Sequence, residues 1–520
     1  GGAMGGGMTG WSGGYVSDID YLPWFFPPQA PAHLGLALTI AGVEHAMARH
    51  DFAYCDLGCG MGITAGAIAA ANPRARVYGV DFSPGQIATA RALAEEAGLP
   101  NLTYLEADFA ELAAAPPADM PLFDCVSMHG VWAWVSDETR AAIVRFLARQ
   151  VKPGGVVHVG YNALPGWQDM FGLRRFLAEV AAGLPGRSDQ RIEAALELAR
   201  ELNAAGAPHL RRSPMVQRVL ERSRTMPSVY LAHEYLNENW RPMFHNEVAA
   251  ELGEAKLTYA ASGDLAENFA DLCLDATQRA LLDRLPGQAA RETARDLCLE
   301  RIFRHDIFVR GPRRLTNAAR SSLLAGAMLI GSRPGEEPIF QVDVPAGKAT
   351  MSEAAYGPIF AALAERPRSV GELAMLTSQA GHPTSAAEIV AMLLISNQAL
   401  YVPFPEAGPS EPGRRWAVAL ARRFAFGEMS TTLALPSPRL GNGIGAQAPE
   451  MQVHAALVSG CAPEAGMVAD WIVGEVRRRG EAVIENGVEL PPDEARSRVA
   501  ATAAKVIQDR LPLWRKLAIA

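Results

Sequence analysis

The sequence predicts an α/β fold whose first part is built on a mainly parallel sheet. Between residues 52 and 161, five short apolar segments alternate with segments of helical pattern, which is typical of strand–helix–strand units. The first apolar segment runs into a glycine cluster, and the next two end near aspartates. Because ligands of parallel sheets bind beyond the carboxyl ends of the strands, these positions predict a binding site.

The elements of this part follow in order along the chain. The five predicted strands are 52–58, 74–81, 102–109, 123–130 and 156–161. A helix is predicted after the first strand, and another runs from Ser83, a favourable N-cap, to Gly98, a favourable C-terminal cap. A third helix is predicted over 137–151, followed by a Lys-Pro-Gly-Gly turn.

Composition limits what the whole chain can be. Its 520 residues exceed one core, so we expect two to four domains. A net charge of -8 disfavours a general nucleic-acid-binding protein, which needs a basic face. Six cysteines do not suggest a disulfide framework, no signal segment opens the chain, and the longest apolar run, 321–332, is too short for a bilayer. We therefore expect a cytoplasmic protein without membrane insertion.

The glycine cluster lies in residues 54–62, YCDLGCGMG. A structural zinc site normally needs four ligands, and the sequence has no second close cysteine pair to join Cys55 and Cys59, so no metal is predicted. The lysine of a phosphate-binding P-loop is also missing. Asp56, just before the first glycine, would repel a pyrophosphate but suits a ligand that carries an ammonium group.

Two further acids indicate which ligand this is. Asp81 ends the second predicted strand, where a carboxylate accepts hydrogen bonds from ribose hydroxyls. Asp108, near the end of the third strand, is placed to accept from an adenine amino group. An ammonium, a ribose and an adenine without a phosphate anchor together predict S-adenosylmethionine (SAM).

The order of these motifs resembles that of the class I SAM-dependent methyltransferases, which implies a Rossmann-like domain that converts SAM to S-adenosylhomocysteine. The matching motifs are D-x-G-x-G-x-G, V-D, A-D-F, F-D and K-P-G-G, all within about residues 50–161. The resemblance implies that the glycine loop holds the methionine part of SAM. The cofactor-binding residues that it implies here are Asp56, Gly58, Cys59, Gly60, Asp81, Phe82, Asp108 and Phe109.

Later segments resemble bacterial methyltransferases that carry a methyltransferase regulatory domain, among them rickettsial protein-lysine methyltransferases. The matching segments are HGVWAWV, YNALPGW, 230–265, 21–43 and 435–445. This resemblance implies transfer of methyl groups to protein lysines, and it makes a homodimer plausible. It also implies a lid over SAM that contains Tyr21, with Tyr15 as the alternative.

The acceptor site is expected after the fourth and fifth strands, where the Asn-Pro-Pro-Tyr signature of amide methyltransferases is absent. His129 is predicted to contact SAM and to act as a general base or as a capping histidine. The predicted catalytic residues are His129, Tyr161 and Asn162, and the predicted acceptor-binding residues are Trp132, Trp134 and Trp167. Core packing is the alternative for Trp132 and Trp134.

The predicted domains follow from these motifs and from changes in pattern. Residues 1–10 are expected to be a tag, with Met8 as the native start. The other predicted units are an N-terminal lid and helix (11–50), the SAM-binding domain (51–185), a helical segment with the regulatory domain (186–305), a winged-helix-like region (306–404) and a C-terminal domain (405–520).

Two motifs suggest other functions, and neither is favoured. HEYLN at 233–237 lacks the second histidine of a zincin, so His233 and Glu234 are predicted to be structural. The helix that would read DNA in a winged helix, 385–398, has no lysine or arginine, so no nucleic-acid partner is predicted. The remaining alternatives to protein-lysine methylation are a small-molecule or peptide natural-product methyltransferase and a noncatalytic SAM-binding scaffold.

Overall fold

The computed structural model describes residues 14–19, 21–47, 49–427, 431–485 and 488–520. The predicted tag at 1–10 lies outside the described residues. Within these ranges, we find no helix with the length and apolar character that crossing a membrane requires.

A seven-stranded sheet forms the centre of the molecule. Its strands are β1 (Ala53–Leu57), β2 (Arg76–Asp81), β3 (Leu102–Glu106), β4 (Phe123–His129), β5 (Val151–Asn162), β6 (Leu257–Ser262) and β7 (Phe303–Arg310). Their order is β3-β2-β1-β4-β5-β7-β6. β1 to β5 are parallel, whereas β7 runs antiparallel to both of its neighbours, β5 and β6. The predicted α/β class with a mainly parallel sheet is confirmed.

Helices cover both faces of this sheet. The helices of the first part are α1 (Pro31–Ile40), α2 (Ile63–Ala71), α3 (Pro84–Ala97), α4 (Phe109–Ala114) and α5 (Asp137–Gln150). Pro84 starts α3 and Gly98, at φ 62°, ends it, as their residue types predict. β1 is buried along its whole length because apolar side chains cover it from both sides.

β6 and β7 were not predicted as members of this sheet. The segment 226–305 reads as short helices and polar loops, yet it supplies one whole strand and the beginning of the next. The predicted boundary between residues 305 and 306 falls inside β7. Lys-Pro-Gly-Gly, predicted as a turn, lies within β5 where its register with β4 shifts.

Further helices lie between β5 and β6 and between β6 and β7. They are α6 (Phe171–Ala182), α7 (Ser188–Ala204), α8 (Pro208–Arg211), α9 (Pro214–Arg222), α10 (Ser228–Tyr235), α11 (His245–Gly253), α12 (Ala270–Cys273), α13 (Ala276–Arg284) and α14 (Gly287–Leu299). Helices α6 to α11 lie between β5 and β6, and α12 to α14 lie between β6 and β7. α6, α7, α9 and α10 share a separate apolar core with Trp167. α10 therefore has a fixed position relative to the end of β5.

A small sheet follows in the order β11-β8-β12, formed by β8 (Met328–Gly331), β11 (Arg368–Ser369) and β12 (Ala399–Tyr401). Its helices are α15 (Asn317–Gly326), α16 (Glu353–Glu365), α17 (Val370–Gln379) and α18 (Ala386–Ile395), and a hairpin of β9 (Gln341–Val344) and β10 (Gly347–Thr350) lies beside them. The winged-helix character of this region stays a prediction, as does the division of the chain into domains.

The C-terminal part packs directly onto the helices of the first part. It contains α19 (Glu411–Phe424), β13 (Leu433–Ser437), β14 (Asn442–Ala446), α20 (Ala448–Val458), α21 (Ala465–Arg478), β15 (Ile484–Glu485), β16 (Val488–Glu489) and α22 (Pro492–Lys516). Trp416 is fully buried against α2, where a Cβ on Gly66 would lie only 2.0 Å from the indole. The two parts therefore share one apolar core.

Candidate active site

The carboxyl edge of the sheet carries the glycine loop between β1 and α2. Gly58, Gly60 and Gly62 have φ values of 76°, 55° and 74°, which glycine adopts without strain. A Cβ on Gly58 would lie 2.3 Å from Val131, and one on Gly62 would lie 2.3 Å from the Tyr104 hydroxyl. The loop therefore needs glycine for its backbone conformation and for its close packing.

Asp81 connects this loop to the end of β2. Its carboxylate accepts hydrogen bonds from the backbone N–H of Gly60 and from that of Ser83, both at 2.9 Å. Burial raises the pKa of Asp81, while these backbone donors act in the opposite direction. Asp81 thus lies beside the glycine loop at the strand end where the sequence predicts the ribose.

Asp56 lies beneath the same loop and is 3% exposed. The Gln29 amide donates to Asp56 Oδ1 and to Ser127 Oγ, both at 3.0 Å. Burial raises the pKa of Asp56 to about 7, although the Gln29 hydrogen bond lowers it. No lysine or arginine among the described residues forms an ion pair with Asp56, so a cationic ligand suits this carboxyl group. A buried carboxyl group beside a glycine loop fits the ammonium end of SAM.

The other predicted cofactor residues occupy different environments. Asp108 is exposed and caps α4, where its Oδ1 accepts from the Glu111 backbone N–H at 2.8 Å. Phe109 is 9% exposed and packs in the core. Cys59 is a half-buried free thiol in the loop. The adenine role of Asp108 and Phe109 and the loop role of Cys59 stay predictions.

The N-terminal segment covers this edge of the sheet. The Tyr15 ring lies edge-on to Phe82 at 5.7 Å, and both Tyr15 and Tyr21 contact the His233 ring, at 5.3 and 5.0 Å. Burial raises the pKa of Tyr15, and the nearby Tyr21 and Asp81 add to this. Tyr15 therefore lies toward the ribose end and Tyr21 toward α10, which makes both of them candidate lid residues.

His129 ends β4 inside a cluster of rings. Phe26 stacks on it at 3.8 Å, and Phe303 and His305 lie at 5.1 and 5.3 Å. Burial lowers the pKa of His129 well below its usual value, and His305 lowers it further. The imidazole is therefore neutral at neutral pH and a weak base, so its surroundings favour a packing or positioning role over general-base catalysis.

Tyr161 points away from the predicted acceptor site. It is fully buried on the opposite face of the sheet, and its hydroxyl donates to Asp306 Oδ2 at 2.6 Å. Arg304 and His245 also contact Asp306, at 2.9 and 2.8 Å. The predicted catalytic contact of Tyr161 with the acceptor does not fit this position, because β5 continues one residue further and side chains alternate between the faces.

Asn162, the next residue, faces the site. Its side chain interacts with Glu234 on α10, whereas its Oδ1 is buried without a hydrogen-bond partner among the described residues. Glu234, which the sequence predicts to be structural, is half-buried in this position. Only the folded structure identifies Glu234 as a neighbour of Asn162, since 72 positions along the chain separate the two residues.

The three predicted tryptophans lie in two different environments. Trp132 is fully buried in the core under the sheet, which matches the packing alternative rather than an acceptor contact. Trp134 and Trp167 both contact Trp240, with ring centroids 6.4 and 5.5 Å apart, and the Arg174 guanidinium lies 4.5 Å from the Trp240 ring centre. Arg174 lies between this tryptophan cluster and Glu234, because its guanidinium contacts Trp240 and its charge acts on the Glu234 carboxyl group.

A row of half-buried rings joins His129 to Glu234. Phe26 stacks on His129, Trp24 lies parallel to Phe26 at 6.4 Å, and Tyr230 lies beside Trp24 at 6.2 Å. We call His129, Phe26, Trp24 and Tyr230 the aromatic wall. Of its members, the sequence predicted a site role for His129 only.

Comparison with known proteins identifies the family. A family model described as "Methyltransferase domain" matches residues 55–155, and one described as "Predicted methyltransferase regulatory domain" matches residues 227–310. The chain belongs to the class I SAM-dependent methyltransferases that carry this regulatory domain. It is therefore an enzyme that uses SAM as methyl donor, and its regulatory domain contains β6, the whole of β7, Tyr230 and Glu234.

Individual relatives extend this match over much of the chain. "Uncharacterized protein sll1526" of Synechocystis sp. is 32% identical over 363 residues, which are 70% of this chain and 71% of that protein. "Uncharacterized protein RP028" of Rickettsia prowazekii is 25% identical over 232 residues, 44% of this chain and 90% of that protein. The solved structure of PKMT2 from Rickettsia typhi in complex with AdoHcy superposes with a TM-score of 0.69 at 17% identity, covering 96% and 99% of the two chains. That protein has the same overall fold.

Proposed function

We propose that this methyltransferase transfers the methyl group of SAM to lysine side-chain amines of a protein. The aromatic wall carries the proposal: four half-buried rings extend from the carboxyl edge of the sheet along the acceptor side. A long side chain with an apolar stem and a polar end suits such a surface. The likeness in fold to PKMT2 over nearly the whole chain supports the same acceptor class.

In this proposal, the residues of the chain position SAM and the acceptor lysine and exclude water from the site. Bound SAM supplies an electrophilic methyl group on a sulfonium, which needs little further activation. The glycine loop and Asp56 hold its methionine end and Asp81 its ribose, while Tyr15 and Tyr21 cover it. The aromatic wall disfavours the charged form of a lysine amine, whose ordinary pKa is about 10.4, and so promotes its deprotonation.

Small-molecule methyltransferases are also related to this chain, but over a short part of it. Trans-aconitate 2-methyltransferase of Methylobacterium nodulans is 36% identical over 104 residues, which are 20% of this chain. A match of that extent concerns the SAM-binding part alone, so it does not favour a small acceptor. The homodimer and the cytoplasmic location stay predictions.

The test is to incubate the purified enzyme with SAM labelled in its methyl group and with soluble and membrane fractions of the source organism. We expect label in protein and, after acid hydrolysis, in methylated lysine identified by mass spectrometry. Asp81→Ala serves as the control that lacks SAM binding. Label only in small molecules, or in base-labile carboxyl esters, would refute the lysine proposal, and no transfer to any fraction would favour a SAM-binding scaffold.

A further inference from the structure

Glu234 occupies a place that the methyl-donor site leaves unexplained. It lies on α10, within the regulatory domain, and its carboxyl group interacts with the Asn162 side chain at the end of β5. It also interacts with Tyr230 and with the positive charge of the Arg174 guanidinium. The carboxyl group is nevertheless half-buried rather than sealed, so a ligand in the site can reach it.

The surroundings of Glu234 form the far end of the aromatic wall. Tyr230 belongs to this wall, and Tyr21 lies close enough to Glu234 for the carboxylate charge to raise the tyrosine pKa, after the larger effect of burial. The near end of the wall is His129, at the carboxyl edge where SAM binds. Glu234 lies at this same edge, because Asn162 is the last residue of β5 and β5 is the neighbour of β4 in the sheet. A lysine that approaches along the rings would therefore place its amine beside both Glu234 and the methyl donor.

A second observation indicates what this polar end is. Asn162 is 4% exposed, and its Oδ1 has no hydrogen-bond partner among the described residues. A buried carbonyl oxygen without a donor is costly, so a ligand that donates hydrogen bonds is expected there. A lysine ammonium has three donors and no acceptor, and it complements a carboxylate beside an amide oxygen.

We propose that Glu234 and the Oδ1 of Asn162 bind the ammonium group of the acceptor lysine, and that Glu234 takes its proton before methyl transfer. This inference rests on the proposed lysine acceptor. The N–H bond breaks, the proton moves to the carboxylate, and the nitrogen keeps the electron pair. That pair forms the bond to the methyl carbon while the carbon–sulfur bond breaks and leaves its electrons on sulfur. The product is a methylated ammonium, and Glu234 returns its proton to solvent.

The electrostatic environment of Glu234 agrees with such a role. Burial raises its pKa to about 7, whereas Arg174, Asn162 and Tyr230 lower it. A base whose pKa lies near the working pH is well suited to proton transfer. The titratable and charged groups that face it or its neighbours are Arg174 on α6, Tyr230 and Tyr235 on α10, Tyr21 on the N-terminal segment, and Arg222 on α9.

Glu234→Gln tests the inference, because it keeps the shape of the side chain and removes its charge. Glu221→Gln on α9 is the matched control, since Glu221 is exposed and, among the residues that the structure describes, forms an ion pair only with the exposed Arg224. Two readouts are compared: methylation of the protein fraction that the wild type labels, and the affinity for n-butylammonium, a mimic of the lysine end, measured calorimetrically with AdoHcy present. 1-Butanol is the uncharged control ligand.

We expect Glu234→Gln to lower the methylation rate at least ~100-fold, the lower range for a lost general base, and to weaken n-butylammonium binding ~10-fold or more while 1-butanol binding is unchanged. Glu221→Gln should match the wild type in both. If the wild type forms methyl-lysine and Glu234→Gln equals it in rate and in n-butylammonium affinity, the inference is wrong although the proposed function stands. If the wild type forms no methyl-lysine, both fail.

Arg174→Met distinguishes Glu234 as the catalytic base from Glu234 as a group that is only structural. Removing the guanidinium removes an effect that lowers the pKa of Glu234, so the acid limb of the rate profile should move from near pH 7 to higher pH. A folded Arg174→Met enzyme whose acid limb coincides with that of the wild type would overturn the assignment of Glu234 as the base.

Discussion

The pH dependence of SAM binding tests the role of Asp56. In the free protein, burial raises the pKa of this carboxyl group to about 7, so below that pH a proton occupies it. An ammonium ligand binds the ionised form, and each pH unit below about 7 should therefore weaken SAM binding ~10-fold, or ~1.4 kcal/mol. Above the α-amino pKa of about 7.7–8.0 the ligand loses its own charge, so the affinity should be highest between these two values.

The measurement is isothermal titration of SAM between pH 5.5 and 8.5 in buffers of different ionisation enthalpy, which also counts the protons released. Asp56→Asn keeps an acceptor for Gln29 but not the charge, so we expect ~10–100-fold weaker binding at pH 7.5 and no acid limb. Asp119→Asn, an exposed substitution of the same kind, is the control. A wild-type affinity that stays constant from pH 5.5 to 7 would refute the reasoning.

Three further predictions concern packing and buried charge. Trp416→Ala should lower the free energy of unfolding by about 3–5 kcal/mol in chemical denaturation, because the fully buried indole fills the space against Gly66. Asp306→Asn should cost less, about 1.5–3 kcal/mol, because Arg304 loses its carboxylate at 2.9 Å but keeps Asp296 at 2.7 Å and Glu292 at 2.8 Å. Burial raises the pKa of Asp306, but Arg304 and the hydrogen bonds from His245 and Tyr161 lower it more, so this pKa lies well below its usual range. The contribution of Asp306 to wild-type stability is therefore present above about pH 4 and falls at lower pH. Tyr161→Phe should keep methyl transfer and lose ~1.5–3 kcal/mol of stability, and a large loss of turnover at unchanged stability would restore its predicted catalytic role.

The end of β5 shows one part of the site that the sequence does not predict. The sequence predicts both Tyr161 and Asn162 at the acceptor because both lie at the predicted end of the fifth strand. The strand continues through Asn162, and alternation of side chains then sends Tyr161 to Asp306 and Asn162 to Glu234. Which of two neighbouring residues faces a ligand depends on where the strand ends, and pairing with β7 decides this point here.

Glu234 illustrates the same limit at long range. Its local motif, HEYLN, resembles an incomplete metal site and contains nothing that indicates contact with β5. Packing of α10 against α6 and α7 brings it to Asn162, and the N-terminal segment adds Tyr21 from the other side. No periodicity within α10 contains that information.

The sequence by itself determined the α/β fold, the positions of the first five strands along the chain and the methyl donor. These features are local: a strand, a glycine loop and an acid at the next strand end recur at fixed spacing, and parallel strands bring their carboxyl ends together. The tertiary structure alone decided that β6 and β7 complete the sheet, that Tyr161 belongs to a buried ion cluster, and that Trp24 and Tyr230 stack near Glu234. Such contacts join segments far apart in the chain, and only packing of the whole molecule specifies them.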